Sequence, residues 1–219
     1  MRMLIADDHA VLREGLKQIL AEEFPEAEFR ETGTTQETLE AIGHGPWDVL
    51  LLDVFMPGRS GLEVLAETRQ SHPQLPVLVV SSAPEEQLAI RVLKAGASGY
   101  LDKQVAAENL VHAVKKLLSG GRYISSSVAE WLAAEAGHDR RLPHATLSDR
   151  EFQVMQMILA GKLLKEIAAE MSLSVKTIST FHTRIWEKLG VRNDVEMFRY
   201  ALEHGLVASA AVPKGGPGD

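Results

Sequence analysis

Val49-Leu50-Leu51-Leu52-Asp53-Val54-Phe55-Met56-Pro57-Gly58 is the stretch around which the chain is organised. Four consecutive apolar residues run into a carboxylate, two more follow, and a Met-Pro-Gly turn closes the stretch. A short apolar run bounded by turn signals reads as a strand buried on both faces, as in a parallel sheet. Asp53 then stands where the strand leaves the sheet. In open α/β sheets that carboxyl end is where ligands bind. An Asp at such a place also serves as an ordinary cap or turn residue. Matching groups on other strands separate the two readings.

Upstream, Met3-Leu4-Ile5-Ala6 is a short apolar strand ending in Asp7-Asp8. Apolar residues at 11, 12, 16, 19, 20 and 24 give a helical spacing, stopped by Pro25. Ala27 to Thr32 reads as another strand. Thr34 or Thr35 caps a helix running to about Ile42, ended by Gly43 and Gly45. The central strand covers 47–52. Downstream, the pattern gives a helix over Leu62–Gln70, a strand over Val77–Val80 ending at Ser81, and a helix over Glu85–Ala95. Gly99-Tyr100-Leu101 is a fifth strand, followed by Asp102-Lys103 and a helix over Ala106–Leu118. Strand and helix alternate five times. The prediction is an α/β doubly wound, five-stranded parallel sheet with right-handed crossovers. A dinucleotide site is excluded at the first turn, Ala6-Asp7-Asp8-His9-Ala10, which has no glycine to admit a pyrophosphate.

On that sheet Asp7, Asp8 and Asp53 leave neighbouring strands at one edge. Three carboxylates so close repel one another, and an all-oxygen site of this kind suits Mg²⁺. Ser81 and Lys103 leave two of the remaining strands toward the same place, where a hydroxyl and an ammonium can hold phosphoryl oxygens. Metal, lysine and hydroxyl around one carboxylate are the equipment for phosphoryl transfer to Asp53.

Composition sets the outer limits. The chain has 219 residues, no cysteine and a net charge of −7. Disulfides and thiolate metal sites are excluded. The acidic start does not resemble a signal peptide, and no apolar run approaches a membrane span. A cytoplasmic protein without membrane attachment is expected. The eight histidines look scattered, with no metal-ligand pair on one helix face. Residues 1–121 hold 11 Lys and Arg against 18 Asp and Glu, while residues 146–206 hold 8 of each. An acidic part followed by a neutral one suggests two domains with different partners.

Residues 122–145 read as a linker with a helix over Ser125–Ala136, then a polar stretch, 137–145, that serves as a hinge; the alternative reading is a helix that simply extends the first domain. Ser148 and Glu151 form a capping box at the start of the next helix. Leu164 to Met171 is a short helix, Ser172-Leu173-Ser174 a tight turn, Val175–Leu189 a long helix and Asp194–His204 a last one. This is a small all-α, helix-turn-helix domain. On the long helix Ile178, Phe181, Ile185 and Leu189 share a face. The opposite face carries Lys176, Ser179, Thr180, Thr183, Arg184 and Glu187. Short polar groups framed by basic ones suit base edges and phosphates. Residues 208–219 look like a disordered tail.

Residues 1–121 resemble the receiver domain of two-component response regulators, on Asp7-Asp8, Asp53 with Met56-Pro57-Gly58, Ser81, Tyr100 and Lys103. Residues 146–206 resemble the LuxR-type helix-turn-helix, on Leu147-Ser148-x-Arg150-Glu151, Gly161, Lys165-Glu166-Ile167-Ala168, Leu173-Ser174-x-Lys176-Thr177-Ile178 and Lys188-Leu189-Gly190-Val191. The whole chain is similar to the NarL/FixJ type. The resemblance implies that Asp53 accepts a phosphoryl group from a histidine kinase. Asp8, Asp53 and the Phe55 carbonyl would ligate Mg²⁺, with Asp7 acting through water. Lys103 would hold the phosphoryl group, Ser81 would move towards it, and Tyr100 would turn inward behind it. In the recognition helix, Ser179, Thr180 and Thr183 would face bases of a double-stranded operator, and Lys176, Thr177, Arg184 and Lys188 its backbone.

The expected protein is therefore a phosphorylation-controlled, homodimeric transcription regulator and not an enzyme. A phosphotransferase acting on an external substrate would need a second Asp two residues after Asp53, where Phe55 stands. A regulator switched by partner binding alone would leave all five pocket residues without use. At rest, the receiver is expected to lie against Val175–Leu189 and mask it.

Overall fold

The computed structural model describes residues 1–56, 59–82, 85–135 and 142–207. Five strands, β1 (Arg2–Ala6), β2 (Glu28–Thr32), β3 (Val49–Leu52), β4 (Val77–Ser81) and β5 (Gly99–Asp102), form one sheet in the order β2-β1-β3-β4-β5. Every pairing is parallel. The strand order reverses between β1 and β3, which run in register from Met3 opposite Val49 to Ala6 opposite Leu52. Such a reversal opens a crevice at the carboxyl ends of the two strands.

Successive strand residues point to opposite faces, and this divides the core in two. Met3, Ile5, Leu51, Leu78 and Val80 pack with Leu16 and Leu20 of α1 (Ala10–Glu23) and Leu110 and Val114 of α5 (Ala106–Leu118). Leu4, Ala6, Leu50, Leu52, Val77 and Val79 pack against α2 (Thr35–Gly43), α3 (Gly61–Ser71) and α4 (Glu85–Lys94). Each fully buried Leu or Val contributes roughly 1.5–3 kcal/mol. Strands buried on both faces explain why they read as unbroken apolar runs.

After α5 the chain turns back along the edge of the sheet. Tyr123 donates its N–H to Ser98 O at 3.0 Å, and Tyr100 donates its N–H to Tyr123 O at 3.1 Å. A Cβ on Gly99 would meet Tyr123 O at 2.6 Å, so this approach requires glycine. A further helix, α6 (Ser126–Glu135), packs on α4 and buries Val128 completely. The expected hinge, 137–145, falls partly on residues 136–141, which lie outside the described residues; Pro143–Thr146 is a single 3₁₀ turn.

Four helices follow: α7 (Asp149–Leu159), α8 (Leu164–Glu170), α9 (Val175–Leu189) and α10 (Asp194–Glu203). The capping box at the start of α7 is formed in both directions, Ser148 N–H to Glu151 Oε2 at 2.7 Å and Glu151 N–H to Ser148 Oγ at 3.3 Å. Ser172 takes a left-handed φ of 54° in the turn between α8 and α9. There Leu173 donates its N–H to Ala168 O at 2.9 Å. Phe152, Met155, Ile167, Ile178, Ile185 and Met197 form the core under these helices. The expected disordered tail, 208–219, lies outside the described residues. Among the described residues, no helix is long and apolar enough to cross a membrane.

Candidate functional site

The crevice between β1 and β3 collects Asp7, Asp8 and Asp53. Backbone pairing sets their level: Asp53 donates its N–H to Ala6 O at 2.8 Å, and Asp7 donates its own to Thr32 O at 3.1 Å. Asp7 and Asp53 are each only 2% exposed. Lys103 reaches in from the end of β5, with Nζ 2.6 Å from Asp53 Oδ2 and 2.6 Å from Asp7 Oδ2. The other Asp53 oxygen, Oδ1, accepts from Phe55 N–H at 2.9 Å. Ser81, at the end of β4, is fully buried. So is Tyr100, at the middle of β5.

His9 joins this group, which the scatter of histidines along the sequence did not suggest. Its Nδ1 lies 2.8 Å from Asp8 Oδ1 and 3.2 Å from Asp7 Oδ1. Ligand atoms of Asp7, Asp8, His9 and Asp53 all fall within 4.8 Å of one another. The only hint in the sequence was adjacency to Asp7-Asp8.

Burial governs the electrostatics. It pushes the Asp53 pKa up, Lys103 pulls it back, Asp7 pushes it up again, and the net direction is upward. Burial also pulls Lys103 down, but Asp53 and Asp7 outweigh it and raise the pKa above its ordinary value. Lys103 is therefore charged, one cation facing two buried carboxylates and a third nearby. Asp7 Oδ2 and Asp8 Oδ1 are buried oxygens of this cluster. Their nearest partners are Lys103 Nζ, 2.6 Å from Asp7 Oδ2, and His9 Nδ1, 2.8 Å from Asp8 Oδ1. One ammonium among three clustered carboxylates leaves buried negative charge uncompensated, and a hard divalent cation supplies what is missing. The donor set fits a divalent metal ion.

In the helical part, α9 packs through Ile178, Ile185 and Leu189 against α7 and α8. Lys176, Thr180, Thr183, Arg184 and Lys188 are exposed, and Thr177 and Ser179 are half-buried. The expectation that the receiver covers this helix is thereby corrected: its polar face is open. Thr177 is tied into the helix cap, donating its N–H to Ser174 Oγ at 3.0 Å. Lys188 is tied to its own domain, with Nζ 2.5 Å from Glu151 Oε2 and 3.2 Å from Thr146 O.

Known proteins place both halves. Residues 3–115 match the family described as response regulator receiver domain, and residues 145–201 match the bacterial regulatory proteins of the luxR family. The response regulator GacA of Pseudomonas viridiflava is 34% identical over 213 residues, 96% of this chain and 100% of GacA. This chain is a NarL/FixJ-type response regulator. UvrY of Escherichia coli K12 is 33% identical over 208 residues, 94% of this chain and 95% of UvrY. Among solved structures, RcsB of Salmonella typhimurium matches with a TM-score of 0.69 at 25% identity, covering 93% of this chain and 97% of RcsB. A structure of the RcsB–DNA complex matches with a TM-score of 0.57 at 27% identity, covering 92% and 98%. Response regulators take their signal from histidine kinases, and this family consists of transcription regulators, not enzymes.

A second group in this response regulator had no sign in the sequence. His144, in the turn before α7, has Nδ1 3.0 Å from Tyr200 Oη and its ring centroid 5.6 Å from that of His204. Burial, then His204, then Arg91 push its pKa from 6.5 to about 4. A folded pKa below the unfolded one adds stability above the unfolded value, and that stability is lost as pH falls through the folded one. Thermal melts are expected to show Tm falling between pH 6.5 and about 4. His144→Phe should flatten that slope; an unchanged slope in the variant would contradict the assignment.

Proposed function

We propose that this response regulator accepts a phosphoryl group on Asp53 from a partner histidine kinase and, as a homodimer in the cytoplasm, binds double-stranded DNA through α9. In this reading 1–121 is the receiver, 122–145 the linker, 146–206 the DNA-binding domain and 207–219 a tail. The observation that carries it is the buried pocket in which Lys103 faces Asp53 and Asp7 at ion-pair distance.

Each pocket residue then has one task. Asp53 is the nucleophile: one carboxylate oxygen forms the new P–O bond as the donor's P–N bond breaks. The Phe55 N–H fixes the carboxylate by holding Oδ1. Lys103 moves from carboxylate to phosphoryl oxygen, so its charge stays compensated. Asp8, Asp53 and the Phe55 carbonyl would hold Mg²⁺, with Asp7 acting through water. When bound, that ion neutralises charge on the phosphoryl oxygens. Ser81 supplies a hydroxyl to the new group. The Tyr100 N–H is already bonded to Tyr123 O, so a shift of β5 passes directly into the linker.

On α9, Thr180 donates its hydroxyl to Lys176 O at 3.0 Å and Thr183 donates to Ser179 O at 3.1 Å. With the protons engaged, each side chain offers a methyl group and an acceptor oxygen to base edges. These suit a thymine methyl and the amino groups of adenine or cytosine. Lys176 and Arg184 are exposed for phosphates. The domain is neutral, so one copy binds weakly at physiological salt, and two copies on one operator add their contacts.

Operators selected from random DNA, with and without beryllofluoride, provide the test. Arg184→Ala is expected to weaken all sequences alike and to reduce the salt slope by about one. Thr180→Ala should instead relax one or two base positions by roughly 1–3 kcal/mol. If both variants lose affinity uniformly, α9 does not read bases through Thr180.

A further inference from the structure

Arg91 of α4 satisfies its guanidinium entirely outside its own domain, among the contacts the structure gives it. Nη1 donates to Leu147 O at 2.9 Å and Nη2 to His144 O at 2.7 Å. Nη1 also lies 3.5 Å from Asp149 Oδ1, and Cζ sits 4.6 Å from the centroid of the Phe152 ring. The side chain is 17% exposed. A buried guanidinium needs its charge and its fork of donors satisfied, or it is strongly unfavourable. Here the corner where the 143–146 turn enters α7 supplies carbonyls, a carboxylate and an aromatic face. A helix N-terminus by itself repels a cation, so α7 does not explain the placement without those groups. A second ion pair joins the same two bodies, Arg150 Nε to Glu63 Oε1 of α3 at 3.5 Å.

The opposite side of that corner belongs to α9. Lys188 holds Thr146 O and Glu151 Oε2, between and beyond the carbonyls that Arg91 holds. Residues 144–151 are thus gripped by a receiver arginine on one side and a recognition-helix lysine on the other. The polar face of α9 stays open throughout.

We propose that Arg91 is the docking residue that holds the DNA-binding domain on the receiver, and that it acts by fixing that domain's position and not by covering α9. This deepens the reading given above and rests on it for the role of α9. Docking by Arg91 keeps each DNA-binding domain at one orientation on its own receiver. Two copies then cannot both meet the half-sites of one operator. A single half-site remains within reach.

The absence of cysteine allows clean paired labelling of the full chain at Glu22→Cys on α1 and Arg199→Cys on α10. Spin-label distance measurement on the unphosphorylated chain is expected to give one narrow distribution. Arg91→Ala should broaden it, Asp149→Ala should broaden it less, and Arg91→Lys should not restore it, because an ammonium lacks the two-pronged fork. Melting curves that match the parent exclude misfolding, and Asp149→Ala tests the contact from the other domain. A broad distribution in the parent, or a narrow one in Arg91→Ala, overturns the docking role. That measurement needs neither phosphate nor DNA, so it fails or stands apart from the proposed function. On DNA, Arg91→Ala should tighten full-operator binding about tenfold without beryllofluoride and leave a single half-site unchanged. Equal tightening on both would overturn positioning in favour of cover.

Discussion

Asp8→Ala is expected to abolish labelling of Asp53 by acetyl phosphate and to weaken Mg²⁺ binding by about 100-fold or more. Loss of a supporting neighbour of a metal ligand costs about 10–100-fold, and loss of a ligand itself should exceed that. The structural ground is the charge balance of the pocket: one ammonium, Lys103, faces the buried carboxylates of Asp7 and Asp53, with Asp8 beside them. Removing Asp8 leaves Lys103 as the dominant counter-charge for the two remaining carboxylates, and the demand for a cation falls. Calorimetric titration is the suitable readout. Trp47 precedes β3 and donates to Ala41 O at 2.9 Å, at the far end of that strand from Asp53, so its fluorescence is a poor reporter. Mg²⁺ affinity in Asp8→Ala equal to that of the parent would refute the site as proposed.

The second large effect concerns stability. Lys103→Met should destabilise the metal-free protein by about 3 kcal/mol, because removing one partner of a buried ion pair strands the other charge. Here two carboxylates are stranded, Asp53 and Asp7, each 2% exposed. Methionine keeps the apolar stem, so packing contributes little to the difference. Saturating Mg²⁺ should recover most of the loss, since the cation replaces the missing ammonium. Urea unfolding with chelator and with Mg²⁺ makes the comparison. The same destabilisation in both conditions would assign Lys103 a packing role in place of a counter-charge.

Much of the fold was legible because its causes are local. The apolar runs at 3–6, 49–52 and 77–80 are continuous because those strands are buried on both faces. The helices between them keep a 3.6-residue spacing because each has one buried face. Capping residues such as Ser148 and Ser174 mark helix starts within a residue, since a cap bonds only three positions ahead. Once the alternation fixes a parallel sheet, the residues that follow its strands must meet at one edge. That is why Asp7, Asp8, Asp53 and Lys103 could be gathered from the sequence.

Other features depended on contacts between distant parts of the chain. The resemblance offered Lys188 to the DNA backbone, but only the packed domain shows its ammonium on Glu151. It offered Tyr100 as a strand residue near the pocket, while only the folded sheet shows Tyr123 bonded along its edge. It suggested a receiver lying over α9, whereas the receiver meets the corner at 144–152 through Arg91 and leaves α9 open. Secondary structure is set by neighbours within a turn or a strand, so periodicity records it. The partner of a long charged side chain is set by which surfaces tertiary packing brings within a few ångströms, across 53 and 56 residues for Arg91. No local pattern encodes that choice, because a flexible cation loses its hydration only where the folded chain supplies carbonyls, a carboxylate and an aromatic face together.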